Sequence, residues 1–185
     1  NIAGSAGKGM WGIVAGQVTL TSGINSAEAP ICLLFHPGSW IGYGPLFGFP
    51  LLANARAAVD GIVLHLPFAD IRRLLAANPG WWEHFGLLVL EHSMVFATVG
   101  VDLMLRPPER RVAAILLHQA GCRTSRTRPS PIHLSQAEIG EMTTLSRHPV
   151  RRILHDFEAR GWIEHGYRCI HVRAPGPMRR LADGG

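Results

Sequence analysis

The stretch S-Q-A-E-I-G-E-M-T-T-L-S-R-H-P-V-R-R-I-L-H-D-F-E-A-R, residues 135–160, constrains this chain more than any other. Ser135 with Glu138 three residues later forms a capping box, so a helix starts there. It turns Ile139 and Met142 inward and stops near Thr143–Thr144. Ser146 is a second N-cap, and Pro149 falls within the first turn of the next helix, where a missing N–H does little harm. Two helices joined by a turn of about four residues make a helix-turn-helix. At about 100° per residue, Val150, Ile153, Leu154 and Phe157 cluster on one side of the second helix. His148, Arg152 and His155 land opposite, with Arg151 on the flank and Arg147 at the N-terminal tip.

Gly161 ends this helix, and W-I-E-H-G-Y-R-C-I-H-V then reads as two strands around a turn at His165–Gly166. A helix-turn-helix followed directly by a hairpin is a winged helix. Any surface helix shows a charged face, but the capping box, the turn length and the hairpin together favour nucleic acid as the partner of this one. Ser146, Arg147, His148, Arg151, Arg152 and His155 are the candidate DNA contacts, with Arg suited to bidentate pairing with guanine O6 and N7. The charge supports this reading: Lys and Arg number 18 against 13 acids, a net +5, and most of the arginines lie between Arg106 and Arg180. That excess permits a polyanionic partner without requiring one.

The first half is nearly charge-free and rich in glycine. M-W-G-I-V-A-G-Q-V-T-L, P-I-C-L-L-F, W-I-G-Y-G-P-L-F and G-I-V-L-H-L-P-F are apolar runs punctuated by Gly, Pro, Asn and Ser, the pattern of short strands in a small β-barrel or sandwich. A helix is predicted over 68–77 and a long one over about 79–105. The long helix carries a seam spaced by three and four, in which Phe85, Leu88, His92, Val95, Phe96 and Val99 are the candidate contacts with a second copy. The same stripe would also serve to pack on the barrel. R-P-P at 106–108 ends the helix and permits another from Pro108 to Ala120. A Pro-rich polar link follows, and the tail from Ala174 reads as frayed. The whole is α+β: a barrel domain over 1–78, a dimerisation helix over 79–105 and a winged helix over 106–185.

Other chemistries find little support. Cys32, Cys122 and Cys169 are an odd, widely spaced set, which fits a reduced cytoplasmic compartment rather than a disulfide framework. No signal peptide is visible and no uninterrupted run of eighteen apolar residues spans a membrane; Glu91 and His92 break the longest candidate. Neither metal-ligand spacing, nor a nucleophile elbow, nor a phosphate loop occurs, so neither a cofactor nor an enzymatic activity is expected.

The barrel runs and residues 134–154 together resemble the Crp/Fnr family of bacterial transcription regulators. Gly4, Ala6, Trp11 and Gly16 match the opening of that family's cyclic-nucleotide-binding-like jelly-roll barrel, and Gly38, Gly42 and Phe47 a later barrel turn. Glu138, Ile139, Gly140, Ser146, Arg147, Val150, Arg152, Ile153 and Leu154 match its DNA-binding signature. The resemblance implies double-stranded DNA, a second copy and RNA polymerase as partners, with a small-molecule effector that the sequence does not identify. It also exposes departures. His148 replaces a Glu that would accept from cytosine N4, and Thr144 stands where the turn has Gly, which implies a different turn conformation. In the effector region, Gly42, Tyr43 and Gly44 replace G-E-L. The Arg-Ser pair that would hold a cyclic phosphate falls on Ala53–Asn54 or, in another register, on Leu51–Leu52. A phosphate buried without a counter-charge costs several kcal/mol, so cyclic AMP is not expected to bind. An iron–sulfur cluster would need four cysteines, and haem would have to draw its axial ligand from His36, His65 or His92. The alternative to a regulator is a winged helix used only for protein contacts.

Overall fold

Two glycines decide how the first sheet bends. Gly16 has φ +82°, and a Cβ there would stand 2.6 Å from the Asp60 carbonyl oxygen; one on Gly61 would stand 2.2 Å from that of Ala15. Only glycine lets the two backbones cross this closely. They lie on β1 (Gly9–Ser22) and β4 (Ala53–Pro67), which pair antiparallel from Gly9↔Pro67 to Ser22↔Ala53, the register slipping between Ile13 and Val18. β2 (Ile31–Phe35) pairs with the second half of β1, and the two-residue β3 (Trp40–Ile41) with the first. The computed structural model describes residues 7–22, 31–124 and 128–185; Gly4 and Ala6 lie outside the described residues.

The chain divides into two compact units, residues 1–95 and 96–185. In the first, the run W-I-G-Y-G-P-L-F does not continue as a strand, because Pro45 sits at the start of a 3₁₀ turn over Gly44–Phe47. β4 begins at Ala53 rather than Gly61; its first half mixes half-buried and exposed residues and carries no strict alternation. α1 (Phe68–Ala77) has the predicted bounds, and its Phe68, Ile71 and Leu75 pack with Met10 and with Phe85 of the long helix α2 (Trp81–Leu103). By length and composition alone α2 would suffice to cross a membrane, and only 17% of its most apolar window is buried.

In the second unit α3 (Pro108–Gln119) is buried from Val112 to Gln119 and packs against the helices around it. These are α4 (Gln136–Thr143), α5 (Arg147–Ala159) and α6 (Pro175–Asp183), with β5 (Ile163–Gly166) and β6 (Cys169–Val172) forming the hairpin. α6 corrects the reading of a frayed tail. Met178 and Ala182 are buried on its inner face, the Ala182 carbonyl accepts from Arg110 Nη2 at 2.9 Å, and Asp183 pairs with Arg123 at 2.8 Å.

Candidate DNA-binding interface

The capping box at Ser135 is present in full: Glu138 N–H donates to Ser135 Oγ at 3.2 Å, and Ser135 N–H to a Glu138 carboxylate oxygen at 2.6 Å. α4 ends at Thr143, and α5 begins at Arg147. The turn closes because Gly140 has no side chain; a Cβ there would stand 2.7 Å from the Leu145 carbonyl oxygen. The close approach lets the Leu145 N–H donate to the Gly140 carbonyl at 2.9 Å. Thr144 corrects the expectation of a different turn. At φ 54° and ψ 36° it adopts the left-handed conformation glycine would favour, and its hydroxyl donates to the Thr143 carbonyl at 2.7 Å. A β-branched residue in that region costs about 1–2 kcal/mol.

Along α5, Val150, Ile153, Leu154 and Phe157 are buried, and Leu154 and Val150 are fully so. Ser146, Arg147, His148, Arg151, Arg152 and His155 are all exposed. The predicted ridge is therefore assembled on one helix and held from behind. Ser146 begins the helix through its extended backbone (φ −71°, ψ 162°), with no capping bond from its hydroxyl. Among the described residues Arg147, Arg151 and Arg152 make no ion pair, whereas Arg160, at the C-terminal end of α5, is tied to Asp156 at 2.9 Å and lies over the Trp162 ring.

The hairpin is fastened to α5: Glu158 accepts from the His165 ring at 2.8 Å and from its backbone N–H at 3.2 Å, which holds the Glu158 carboxyl below its usual range. The hairpin turn lies at Tyr167–Arg168, not at His165–Gly166, because Gly166 still pairs with Cys169. Arg168 takes φ 56° there and Tyr167 is 90% exposed. Sequence reasoning missed both tip residues; the signal it lacked was the register of the hairpin.

Within the second unit lies a buried charge cluster that sequence reasoning also missed. Asp102, 4% exposed near the end of α2, accepts from His118 Nε2 at 2.8 Å and from Arg123 Nε and Nη2 at 2.7 and 2.9 Å. Burial pushes the Asp102 carboxyl up, but the hydrogen bonds from Arg123 and His118 outweigh it and hold it low. Burial lowers His118 more than Asp102 raises it, so the imidazole is neutral and donates. Arg123 is the counter-charge.

In the first unit Gly42 (φ 87°) leads into Tyr43 and Gly44 at the 3₁₀ turn, while Ala53 and Asn54 open β4 opposite Ser22 and Thr21. The Tyr43 hydroxyl is hydrogen-bonded to His92 Nδ1 at 3.2 Å, and Phe35 meets the same imidazole edge-on. Burial lowers the His92 pKa against the opposing pull of Glu91, and raises that of Tyr43. No side chain among Gly42, Tyr43, Gly44, Leu51, Leu52, Ala53 and Asn54 is cationic, and Arg56 is exposed on β4. His36 is bonded to Gln17, His65 is stacked on Trp11 and His92 meets Tyr43, so the three histidines serve separate neighbours.

α2 shows two faces. Phe85, His92 and Val99 are buried within the chain and Leu88 and Val95 half-buried, which leaves Phe96 as the exposed member of the predicted seam. The opposite face carries Leu87, Leu90, Met94 and Val101, each more than half exposed. With Ala97 they repeat at three and four, the spacing of a coiled-coil seam.

Two domain families match this chain: the cyclic nucleotide-binding domain over residues 2–78 and the Crp-like helix-turn-helix domain over 110–181. A sheet domain, a long helix and a winged helix with an exposed basic ridge define a DNA-binding transcription regulator. The chain belongs to the Crp/Fnr family of such regulators. It is 26% identical over 176 residues to the HTH-type transcriptional regulator Cmr of Mycobacterium tuberculosis, covering 95% of this chain and 69% of that protein. In fold it is similar to FixK2 of Bradyrhizobium japonicum (TM-score 0.75, 19% identity, 98% of this chain and 90% of that one). A CRP-family transcriptional regulator of Thermus thermophilus is similar too (TM-score 0.72, 19% identity, 98% and 91%).

Proposed function

We propose that the regulator acts as a homodimer whose α5 ridge enters the major groove at each half of a two-fold DNA site. Arg147 and Arg152 read base edges, while Ser146, His148, Arg151 and His155 complete the contact. Tyr167 and Arg168 at the hairpin tip reach the flanking backbone. The observation that carries this reading is that Arg147, Arg151 and Arg152 form no ion pair among the described residues, on an exposed face backed by four buried apolar side chains. His148, unlike a glutamate, offers a donor, which argues for a half-site other than one read through cytosine N4.

The division of labour follows 1–78 as sensing domain, 79–105 as dimerisation helix and 106–185 as DNA reader. The exposed stripe Leu87, Leu90, Met94 and Val101 supports α2 as the dimer seam. A second copy accounts for the apolar character of α2 without a membrane, since Glu83, Glu91 and Asp102 also lie along it. RNA polymerase is the partner through which such a regulator acts, in the cytoplasm. The sensing domain does not hold a cyclic nucleotide by its phosphate, because every candidate position is uncharged; its effector is of another class.

A binding assay on genomic fragments across a salt series tests the reading. Steep salt dependence and selection of one two-fold sequence are expected. Binding that is absent or unselective would instead make this winged helix a protein-contact module. Cyclic AMP should leave the melting temperature unmoved, whereas a ligand at a hundred times its Kd adds about 2.7 kcal/mol.

A further inference from the structure

A cavity of about 370 Å³ opens between the start of α2, Leu74 of α1, Trp40 of β3 and Leu66 of β4. That lies within the range of about 300–1,000 Å³ typical of small-molecule sites. It is open to solvent on one side, and none of its lining residues belongs to the effector positions Gly42, Tyr43, Gly44, Ala53 and Asn54. Trp40, Trp81 and Phe85 give it aromatic walls, and Leu66, Leu74 and Leu88 supply aliphatic surface. The inner wall is preformed: Phe85 belongs to the core with Met10, Phe68, Ile71 and Leu75, and Trp40, Leu66 and Leu88 pack against that core.

Its charge is as one-sided as its surface. Glu91 is the only acidic residue in the lining, and no Lys or Arg contributes. Glu91 makes no ion pair or hydrogen bond among the described residues, and its electrostatic neighbour His92 is kept neutral by burial. His84, the other ionisable group of the lining, rests against the Trp81 ring at 5.0 Å. Aromatic faces are electron-rich and attract cations, the more so where water is excluded. A carboxylate beside three aromatic side chains therefore favours a cation and opposes an anion.

We propose that this cavity binds a lipophilic organic cation, of the quaternary ammonium or phosphonium class, with its charge toward Glu91 and its apolar groups against Trp40, Trp81 and Phe85. Such a ligand needs no phosphate counter-charge, and its site is separate from the one a cyclic nucleotide would use.

Tetraphenylphosphonium and tetraphenylborate share one shape and carry opposite charge, which makes them the probes of choice. Two of the chain's five tryptophans line the cavity, so binding to the full chain is followed by tryptophan fluorescence and checked by calorimetry. The phosphonium should bind saturably, at least about tenfold more tightly than the borate. Glu91→Gln should weaken the phosphonium by about tenfold and close the gap between the two ions. Trp81→Leu should weaken the phosphonium too, and thermal unfolding of both variants should match the parent. Equal affinity for both ions, or an unchanged affinity in Glu91→Gln, would overturn the proposal. So would phosphonium binding that fades as protein concentration rises, since a second copy seated on Leu87, which lines the cavity as well as the proposed seam, would then fill it. DNA affinity in the absence of either ion should not change in Glu91→Gln, so the outcome is independent of the DNA-binding reading.

Discussion

Replacing Arg147 and Arg152 by alanine separates a DNA-reading ridge from an ordinary charged helix face. Both side chains are exposed and neither makes an ion pair among the described residues, so their removal breaks nothing in the free protein. Stability should stay within about 0.5 kcal/mol of the parent, the usual range for surface substitutions. A bidentate contact to a base is worth about 1–3 kcal/mol. In a two-fold complex each substitution occurs twice, so either one should cost about 2–6 kcal/mol, a loss of roughly thirtyfold to twenty-thousandfold. Fluorescence anisotropy on a selected operator, repeated across a salt series, reads both quantities. Loss of a base contact lowers discrimination between operator and random DNA while the salt slope holds. Loss of a phosphate contact reduces the slope by about 0.9 for each phosphate freed. Arg160→Ala is the internal control: its guanidinium is engaged with Asp156 and Trp162, so it should move stability slightly and DNA affinity not at all. Unchanged DNA affinity in both Arg147→Ala and Arg152→Ala, or a melting temperature that falls in step with affinity, would refute the assignment.

The remaining expectations concern assembly and stability. Leu90→Glu places like charges opposite each other across the proposed seam; sedimentation should show monomer, with the far-ultraviolet spectrum unchanged because Leu90 is 57% exposed. Asp102→Ala leaves the buried His118 N–H without its acceptor and Arg123 with only Asp183, so calorimetry should show a loss of about 3–5 kcal/mol, toward the lower end because Asp183 remains. His92 and His118 both titrate below the usual value of about 6.5 in the folded chain, so the unfolded chain takes up more protons once the pH falls below that value. Stability should therefore be fully present above about pH 6.5 and decline toward the lowered folded values; exchanging both histidines for glutamine should flatten that decline. Thr144→Asn should raise stability by about 0.5–1 kcal/mol, because asparagine tolerates the left-handed region that threonine resists.

What could be read without coordinates was whatever depends on neighbours in sequence. The capping box, the apolar face of α5 and the basic face opposite are all set within one or two helical turns, and they were legible at Ser135, Glu138, Val150 and Arg152. What depends on distant partners was not. Nothing near Asp102 announces that His118 and Arg123 will surround it. The tail P-G-P-M-R-R-L-A-D reads as turn-rich because two prolines and a glycine open it. It becomes α6 because Pro175 sits harmlessly in its first turn while Met178 and Ala182 find a buried surface. Thr144 was misread for a different reason: the turn is specified by Gly140 and by the two helices closing on it, and that closure imposes a glycine-like conformation on whatever residue stands there.

α2 shows why a pattern can be sound and its assignment still open. Its apolar residues fall at spacings of three and four on two faces at once, and periodicity alone does not say which face meets which partner. The structure buries one face within the chain, through Phe85 and His92 among others, and leaves Leu87, Leu90, Met94 and Val101 at 56%, 57%, 59% and 64% exposure. Fully burying such a side chain is worth about 1.5–3 kcal/mol, so covering the exposed part recovers roughly 1–2 kcal/mol for each of the four. Counted on both copies, the seam supplies about 8–16 kcal/mol, against about 4–15 kcal/mol for the freedom lost on association. The two terms nearly balance. A dimer held by this seam alone is therefore weak enough for its population to respond to whatever else the two copies share. A two-fold DNA site is such a shared partner: each half-site holds one copy and raises the local concentration of the other. Dimerisation and DNA binding are then one equilibrium, in which a change on α2 reaches the α5 ridge through the fraction of paired chains without altering any residue that touches DNA.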